Sequence, residues 1–208
     1  MFFSYIIDAL FPPRGDKRIE READEKDVVA LLSPMLVEVT NPPTIAPLPF
    51  RDKTIRALIH EAKYHENARA HMLLAAVLSE YLTEIATDLY EHAVLIPMPL
   101  SSARKRERGF NQCEVVATRA LATFPKGTIT LAANVLRRIK DTEHQTRLSQ
   151  TLRKHNLEDA FAVQGTLDPL ATYILFDDVI TTGATMQSAI DTLTKAGAKH
   201  ILPLSLAH

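Results

Sequence analysis

The sequence is short of four things, and each shortage excludes something. There is one cysteine, Cys113, in 208 residues. That rules out an internal disulfide framework and any zinc site needing two or more thiolates, and it fits a reducing cytosol. There is almost no net charge, because 24 Lys and Arg face 25 Asp and Glu for a total of −1. A dedicated nucleic-acid binder would carry a basic excess, so no strong nucleic-acid signal is present. No apolar run approaches the ~18 residues of a membrane span. Met1 to Phe11 is apolar, but it lacks a basic n-region, contains Asp8 and runs into Pro12-Pro13. It reads as a short helix docked on the body or on a partner rather than an export signal or membrane anchor, and the expected location is cytoplasmic. Finally, there is no Gly-x-Gly-x-x-Gly and no loop ending in Gly-Lys-Ser/Thr, which removes the two commonest glycine-rich nucleotide motifs.

What remains is ordinary globular material, 46% hydrophobic and 24% charged, without an internal repeat. Asp16 to Asp27 mixes both charge signs densely and reads as a solvated loop or helix face. Asn41 to Pro49 carries Pro42, Pro43, Pro47 and Pro49 and reads as an extended connector. These features divide the chain into an N-terminal helical lobe with a Pro-rich connector, 1–49, and a main domain, 50–208. In the main domain Asp52 can cap a helix with Ile55, Leu58, Ile59 and Ala62 on one face. A second helix is expected from about Asn67 to Thr87. Ala93 to Ile96, closed by Pro97, reads as a buried strand, and Asn111 to Glu114 has capping-box form before a third helix. Val135-Leu136 and Phe161 to Val163 suggest strands, and Thr142 to Gln145 is a second capping box before a helix bearing Leu148 and Leu152. The last quarter is plainest. An apolar strand, Tyr173 to Phe176, is followed by a turn, Asp177 to Thr185. Then comes a helix with Met186, Ala189, Ile190 and Leu193 on one face, Gly197 past its end, and a strand from Ile201 to Leu206. Strand, helix and strand in so few residues implies a right-handed parallel crossover. The fold class is therefore α/β, a mostly parallel twisted sheet flanked by helices.

In such sheets ligands bind beyond the carboxyl ends of the strands. Asp177 and Asp178 stand at such an end, and Thr181, Thr182, Gly183, Ala184 and Thr185 lead into the next helix. Backbone N–H groups, hydroxyls and the positive end of a helix dipole make a phosphate seat there, and Gly183 permits close approach of an oxyanion. The adjacent carboxylates suit sugar hydroxyls or a magnesium ion. Phosphate plus vicinal hydroxyls describes a ribose 5-phosphate.

The stretch Ile174 to Thr185 resembles the phosphoribosyl-pyrophosphate (PRPP) motif of type I phosphoribosyltransferases. Lys63-Tyr64-His65, Ile96 to Leu100, Arg108-Gly109-Phe110-Asn111-Gln112, Thr142 with Gln145, Leu148, Arg153, Asn156 and Ala160-Phe161 are together similar to the ComF family, which includes proteins linked to natural competence. The resemblance runs from about residue 50 to the C-terminus, and Phe11-Pro12-Pro13-Arg14 looks like a family N-terminus. Many members then carry a four-cysteine zinc finger, which this chain cannot form. No stoichiometric structural zinc is expected.

The resemblance implies a small N-terminal hood on a phosphoribosyltransferase-like domain. It implies that Asp177 and Asp178 hold the ribose hydroxyls and, directly or through water, magnesium. It assigns the 5′-phosphate to Thr181, Thr182, Gly183, Ala184 and Thr185, and pyrophosphate to Pro97, Met98, Pro99, Leu100, Arg104 and Arg108. Arg137, Arg138, Lys140, Thr142 and Gln145 fall where related enzymes carry a mobile loop that closes over the substrate. The implied reaction transfers the phosphoribosyl group from PRPP to a nitrogen acceptor and releases pyrophosphate. The acceptor is not legible, and a homodimer is compatible with this reading. Two other functions stay open, a PRPP- or nucleotide-sensing protein without turnover and an accessory protein of competence and DNA uptake. The basic run Arg104, Lys105, Arg106 and Arg108 also fits a solvated face, whereas Phe110, exposed directly after a glycine, would be costly without a use. His60 and His65, five apart, share no helical face and are expected at the surface rather than as a metal pair. Cys113 is expected as a packed thiol with no base in view.

Overall fold

A computed structural model describes residues 13–86, 89, 92–124, 127–139 and 160–208. In chain order the elements are helices α1 (Pro13–Glu22) and α2 (Glu25–Val29), strands β1 (Met35–Val37) and β2 (Thr44–Ala46), helices α3 (Lys53–Tyr64) and α4 (Ala68–Ile85), and strand β3 (Ala93–Pro97). Then follow α5 (Ser102–Arg108), α6 (Gln112–Thr123), β4 (Ile129–Leu131), β5 (Leu136–Arg138), β6 (Phe161–Val163), β7 (Thr172–Val179), α7 (Ala184–Lys195) and β8 (His200–Ala207).

Six strands form one sheet in the order β1-β2-β8-β7-β3-β4, parallel throughout except for the antiparallel β1–β2 hairpin at its edge. β5 and β6 form a separate antiparallel ribbon. The central strand β3 is apolar throughout and β7 is apolar from Tyr173 to Phe176, as parallel strands covered on both faces must be. Ile174 and Phe176 face a layer built from α3, α4 and α6, with Leu58, Leu74, Leu78 and Val116 in the same core. Tyr173 and Leu175 face the opposite layer, where Met186, Ala189, Ile190 and Leu193 of α7 pack with Leu136 and Phe161 of the ribbon. The expected α/β class, with a mostly parallel sheet flanked by helices, is the class observed.

Capping residues set the helix starts. The Asp52 carboxylate accepts from Thr54 N–H and Ile55 N–H, Asn67 accepts from Arg69 and Ala70, and Asn111 accepts from Cys113. These bonds satisfy donors that a helix leaves open in its first turn.

Several expectations need correcting. Asp16 and Glu20 are not solvated; both are buried on α1, where Asp16 meets His60 of α3 and Glu20 lies 3.7 Å from Arg69. Alternating charge marks a helix in the sequence, but only the helix packed against it decides which charges are covered. Strands β1 and β2 within residues 35–46 are part of the sheet, since β2 pairs with β8, and Leu48 bridges to Ala207. The residue-50 boundary thus falls between segments that share one sheet. Arg104 to Arg108 belongs to a short helix, started by Ser101 accepting from Arg104 N–H and ended by Gly109 at φ 78°. Phe110 is half-buried, edge-on against the His71 ring at 5.6 Å, so the packing already uses it. The Met1–Phe11 segment and the capping box at Thr142–Gln145 with its helix lie outside the described residues. No helix among those described is long and apolar enough to cross a membrane.

Candidate active site

β3 and β7 run side by side and end at the same edge of the sheet, with Pro97 opposite Phe176. The chain leaving β3 stays close, because Met98 N–H donates to Phe176 C=O at 2.7 Å and Asn111 Nδ2 donates to Met98 C=O at 3.1 Å. Pro97 and Met98 are buried, while Pro99 and Leu100 are half-buried. The loop assigned to pyrophosphate therefore does lie beside the carboxyl end of the strand that carries the acidic pair.

Asp177 and Asp178 stand just before Val179, the last residue of β7, and the two differ sharply. Asp178 is buried and held by two partners. Lys63 Nζ lies 2.9 Å from Oδ2 and donates to Oδ1 at 3.1 Å, and Gln112 Nε2 donates to Oδ2 at 2.7 Å. Burial alone would raise its pKa, but the Lys63 charge and the hydrogen bonds from Lys63 and Gln112 hold it below the usual carboxylate value. The same contact works on the lysine. Burial disfavours the Lys63 ammonium, yet Asp178 outweighs that and leaves its pKa raised.

Asp177 is half-buried and poorly compensated. Its Oδ1 accepts from Asp178 N–H at 2.9 Å and from Cys113 Sγ at 3.5 Å. Burial first, and the neighbouring Asp178 charge second, push its pKa up to about 6. Cys113, in the first turn of α6, is buried. Burial and both Asp charges raise its thiol well above the ordinary value, which makes it a poor nucleophile. Cys113 is the packed thiol expected, since the nearby Asp177 carboxylate stabilises the thiol and not the thiolate.

A second tier stands behind Gln112. Arg108 Nη1 donates to Gln112 Oε1 at 3.2 Å, and its guanidinium lies 4.9 Å above the Tyr64 ring. Arg108 is thus held near the acidic pair. Arg104, four residues earlier on α5, shares its helix face. Arg137 and Arg138, expected on a mobile loop, lie on strand β5 paired with β6, with Arg138 5.7 Å over the Phe161 ring. Leu136 on the same short strand is buried in the core, and that anchoring makes the segment a strand. Lys140, Thr142 and Gln145 lie outside the described residues.

The turn after β7 exposes Thr181 and Thr182 and half-buries Ala184 and Thr185. Gly183, at φ 71°, is the N-cap of α7, and no side chain caps that helix. A Cβ built on Gly183 would meet Val39 Cγ2 and Val39 C=O, each at 2.6 Å. The β1–β2 turn therefore seats directly on this loop. Gln187 fastens it, accepting from Asn41 N–H at 2.7 Å and donating to Asn41 C=O at 3.3 Å. Gly183→Ala combines a positive φ with a collision against backbone, and should lower unfolding free energy by about 2 kcal/mol. Urea denaturation checks this, and an unchanged midpoint would mean that the hairpin does not hold the loop.

Sequence reasoning placed Asp177, Asp178 and the following turn. It gave no role to Lys63 or Gln112, which turned out to be the partners of Asp178. Their only signal was membership in stretches singled out by family resemblance.

No protein-family model matches the chain. Among curated proteins it is 31% identical over 147 residues to the DNA utilization protein YhgH of Salmonella typhimurium, covering 68% of this chain and 61% of that protein. It is 34% identical over 115 residues to competence protein F of Haemophilus influenzae, covering 54% and 49%. It is 31% identical over 109 residues to competence protein ComFC of Bacillus subtilis, covering 51% and 40%. The chain thus matches about three fifths or less of the length of these relatives.

Proposed function

The chain belongs to the ComF family, and from that premise we propose that it binds PRPP with magnesium at the β7 edge. There it transfers the phosphoribosyl group to a nitrogen acceptor with release of pyrophosphate. One observation carries this reading. Two adjacent carboxylates lie near the carboxyl end of a central parallel strand, and the next turn runs into a helix N-terminus that no side chain caps. That combination offers acceptors for ribose hydroxyls within a few residues of donors for a phosphate.

In this reading the N–H groups and hydroxyls from Thr181 to Thr185 hold the 5′-phosphate. Asp177 and Asp178 accept from the ribose hydroxyls. Pro97 to Leu100, with Arg104 and Arg108, faces the pyrophosphate, for which arginine forks are well shaped. The carboxylates are hard oxygen donors of the class that magnesium takes. Since Lys63 already neutralises one of them, the pair fits an ion held partly through water. Such an ion, when bound, would supply positive charge to the leaving pyrophosphate. The C1–O bond to pyrophosphate breaks as the C1–N bond forms on the opposite face, through an oxocarbenium-like state, and the acceptor nitrogen gives up a proton to water or to the departing pyrophosphate. The chain contributes position and electrostatics, and no residue is assigned as a covalent nucleophile. Calorimetric titration with PRPP and magnesium, followed by a pyrophosphate-release assay over nucleobases, ammonia and glutamine, tests the proposal. Saturable binding with turnover on one acceptor is expected. Binding without turnover makes the protein a sensor, and absence of binding ends the reading.

A second reading has its own support. The relatives are named for competence and DNA utilization, and α5 presents Arg104, Lys105, Arg106 and Arg108 within seven residues. An accessory role in DNA uptake would show as salt-dependent binding of a labelled single-stranded oligonucleotide, lost on replacing Lys105 and Arg106.

A further inference from the structure

We propose that His60, Glu61 and His65 form a site for a divalent ion of the zinc class, oriented by Asp16. In sequence His60 and His65 share no helical face. In the fold α3 ends at Tyr64, His65 leaves the helix at φ −120° and ψ 5°, and the chain turns at Glu66 with φ 49°. That departure folds His65 back over the last turn. One donor atom from each of His60, Glu61 and His65 then lies within 4.8 Å of the other two. The His60 and His65 rings are 5.4 Å apart, edge to face.

The surroundings are built as a metal centre requires. Against the expectation of a surface residue, His60 is 4% exposed because α1 packs over it, and Glu61 is 3% exposed, whereas the His65 side chain is 44% exposed and gives an ion access from solvent. Asp16, buried on α1, places Oδ2 3.1 Å from His60 Nδ1. A metal-bound histidine characteristically sets one nitrogen on a carboxylate and the other on the ion. Asn67 Nδ2 donates to Glu61 Oε2 at 3.1 Å, and Glu61 Oε1 stands 4.0 Å from His65 Nε2. Glu61 is thus held by a hydrogen bond from the N-cap of α4, and His60 faces a buried carboxylate of α1 at ion-pair distance.

Two imidazoles and one carboxylate suit zinc better than magnesium or calcium, which favour all-oxygen sets. Zinc–ligand bonds of about 2 Å place tetrahedral donors roughly 3.4 Å apart, so contractions of up to about 1.4 Å are needed. The exposed His65 ring can supply it, and water completes the fourth position. Lys63 lies between Glu61 and His65, so an ion here would also fasten the helix end that delivers Lys63 to Asp178. The site is separate from the acidic pair and does not depend on the proposed transferase activity.

Zinc titration of the untagged full chain by calorimetry, with cobalt(II) absorption as a coordination probe, tests the proposal. The expected result is one zinc per chain and a tetrahedral cobalt spectrum, which reverses the zinc-free expectation drawn from the lack of thiolates. His65→Ala should weaken zinc at least tenfold, Asp16→Asn about tenfold, and Asp177→Asn not at all. His65 is exposed, so its variant folds and carries the test even if the buried Asp16 variant does not. Absence of zinc uptake, uptake indifferent to His65→Ala, or uptake abolished by Asp177→Asn would each overturn the site.

Discussion

Asp178→Asn should lower the unfolding free energy at neutral pH by about 3 kcal/mol, the scale of orphaning a buried charge. The Lys63 side chain is 16% exposed and that of Asp178 is 9% exposed, so water does little to replace the lost partner. Lys63→Met alone should be similarly harmful, because it leaves a buried carboxylate with only Gln112. The double variant should recover most of the loss, which a double-mutant cycle in urea reads as a large favourable coupling. The pH window follows from the two shifts. Asp178, with its pKa depressed in the fold, contributes above its unfolded value of 3.8 and loses that contribution as pH falls through the folded value. Lys63, with its pKa raised, contributes below 10.5 and loses it as pH climbs through the folded value. Additive single effects, or an unmoved midpoint for Asp178→Asn, would show that this pair is not a structural lock.

Asp177→Asn should move stability and ligand binding in opposite directions. Its pKa, raised to about 6 from 3.8, means that the fold disfavours the ionised form. Its stability contribution is therefore full below pH 3.8 and is lost as pH rises through about 6, a swing of up to about 3 kcal/mol. The neutral asparagine avoids that loss, so the variant should melt higher than wild type at pH 7 and match it near pH 4. Subtracting the two pH profiles isolates Asp177 from Asp178, which titrates in the opposite sense. PRPP affinity in the presence of magnesium should fall by about 1–3 kcal/mol, the scale of a lost charge-assisted hydrogen bond. A variant that melts higher and still binds PRPP like wild type would separate the acidic pair from the ligand and sink the proposed site. Adjacent like charges alone lead one to expect both Asp variants to be neutral or stabilising. The Lys63 contact reverses that expectation for Asp178 and leaves it standing for Asp177.

Much of the chain could be read because its determinants are local. Asp52, Asn67 and Asn111 cap helices through N–H groups two or three residues away. The face Met186, Ala189, Ile190 and Leu193 repeats at helical spacing, and Tyr173 to Phe176 is apolar without interruption because both its faces are covered. The acidic pair and its Thr-Thr-Gly turn are contiguous, so the candidate site was legible from one short stretch. What only the tertiary structure decided are the meetings between distant residues. Lys63 and Asp178 are 115 positions apart, and Gln112 and Asp178 are 66 apart. A carboxylate's charge state and its worth to stability depend on the group it touches, and no periodicity encodes that group. The same holds for Gly183 beneath Val39 and for Asp16 against His60. It holds even for His65, only five residues from His60, because that approach requires the helix to end between them. Local patterns specify elements through bonds along the chain, whereas burial and pairing are properties of the space those elements enclose, and that space exists only once they have packed.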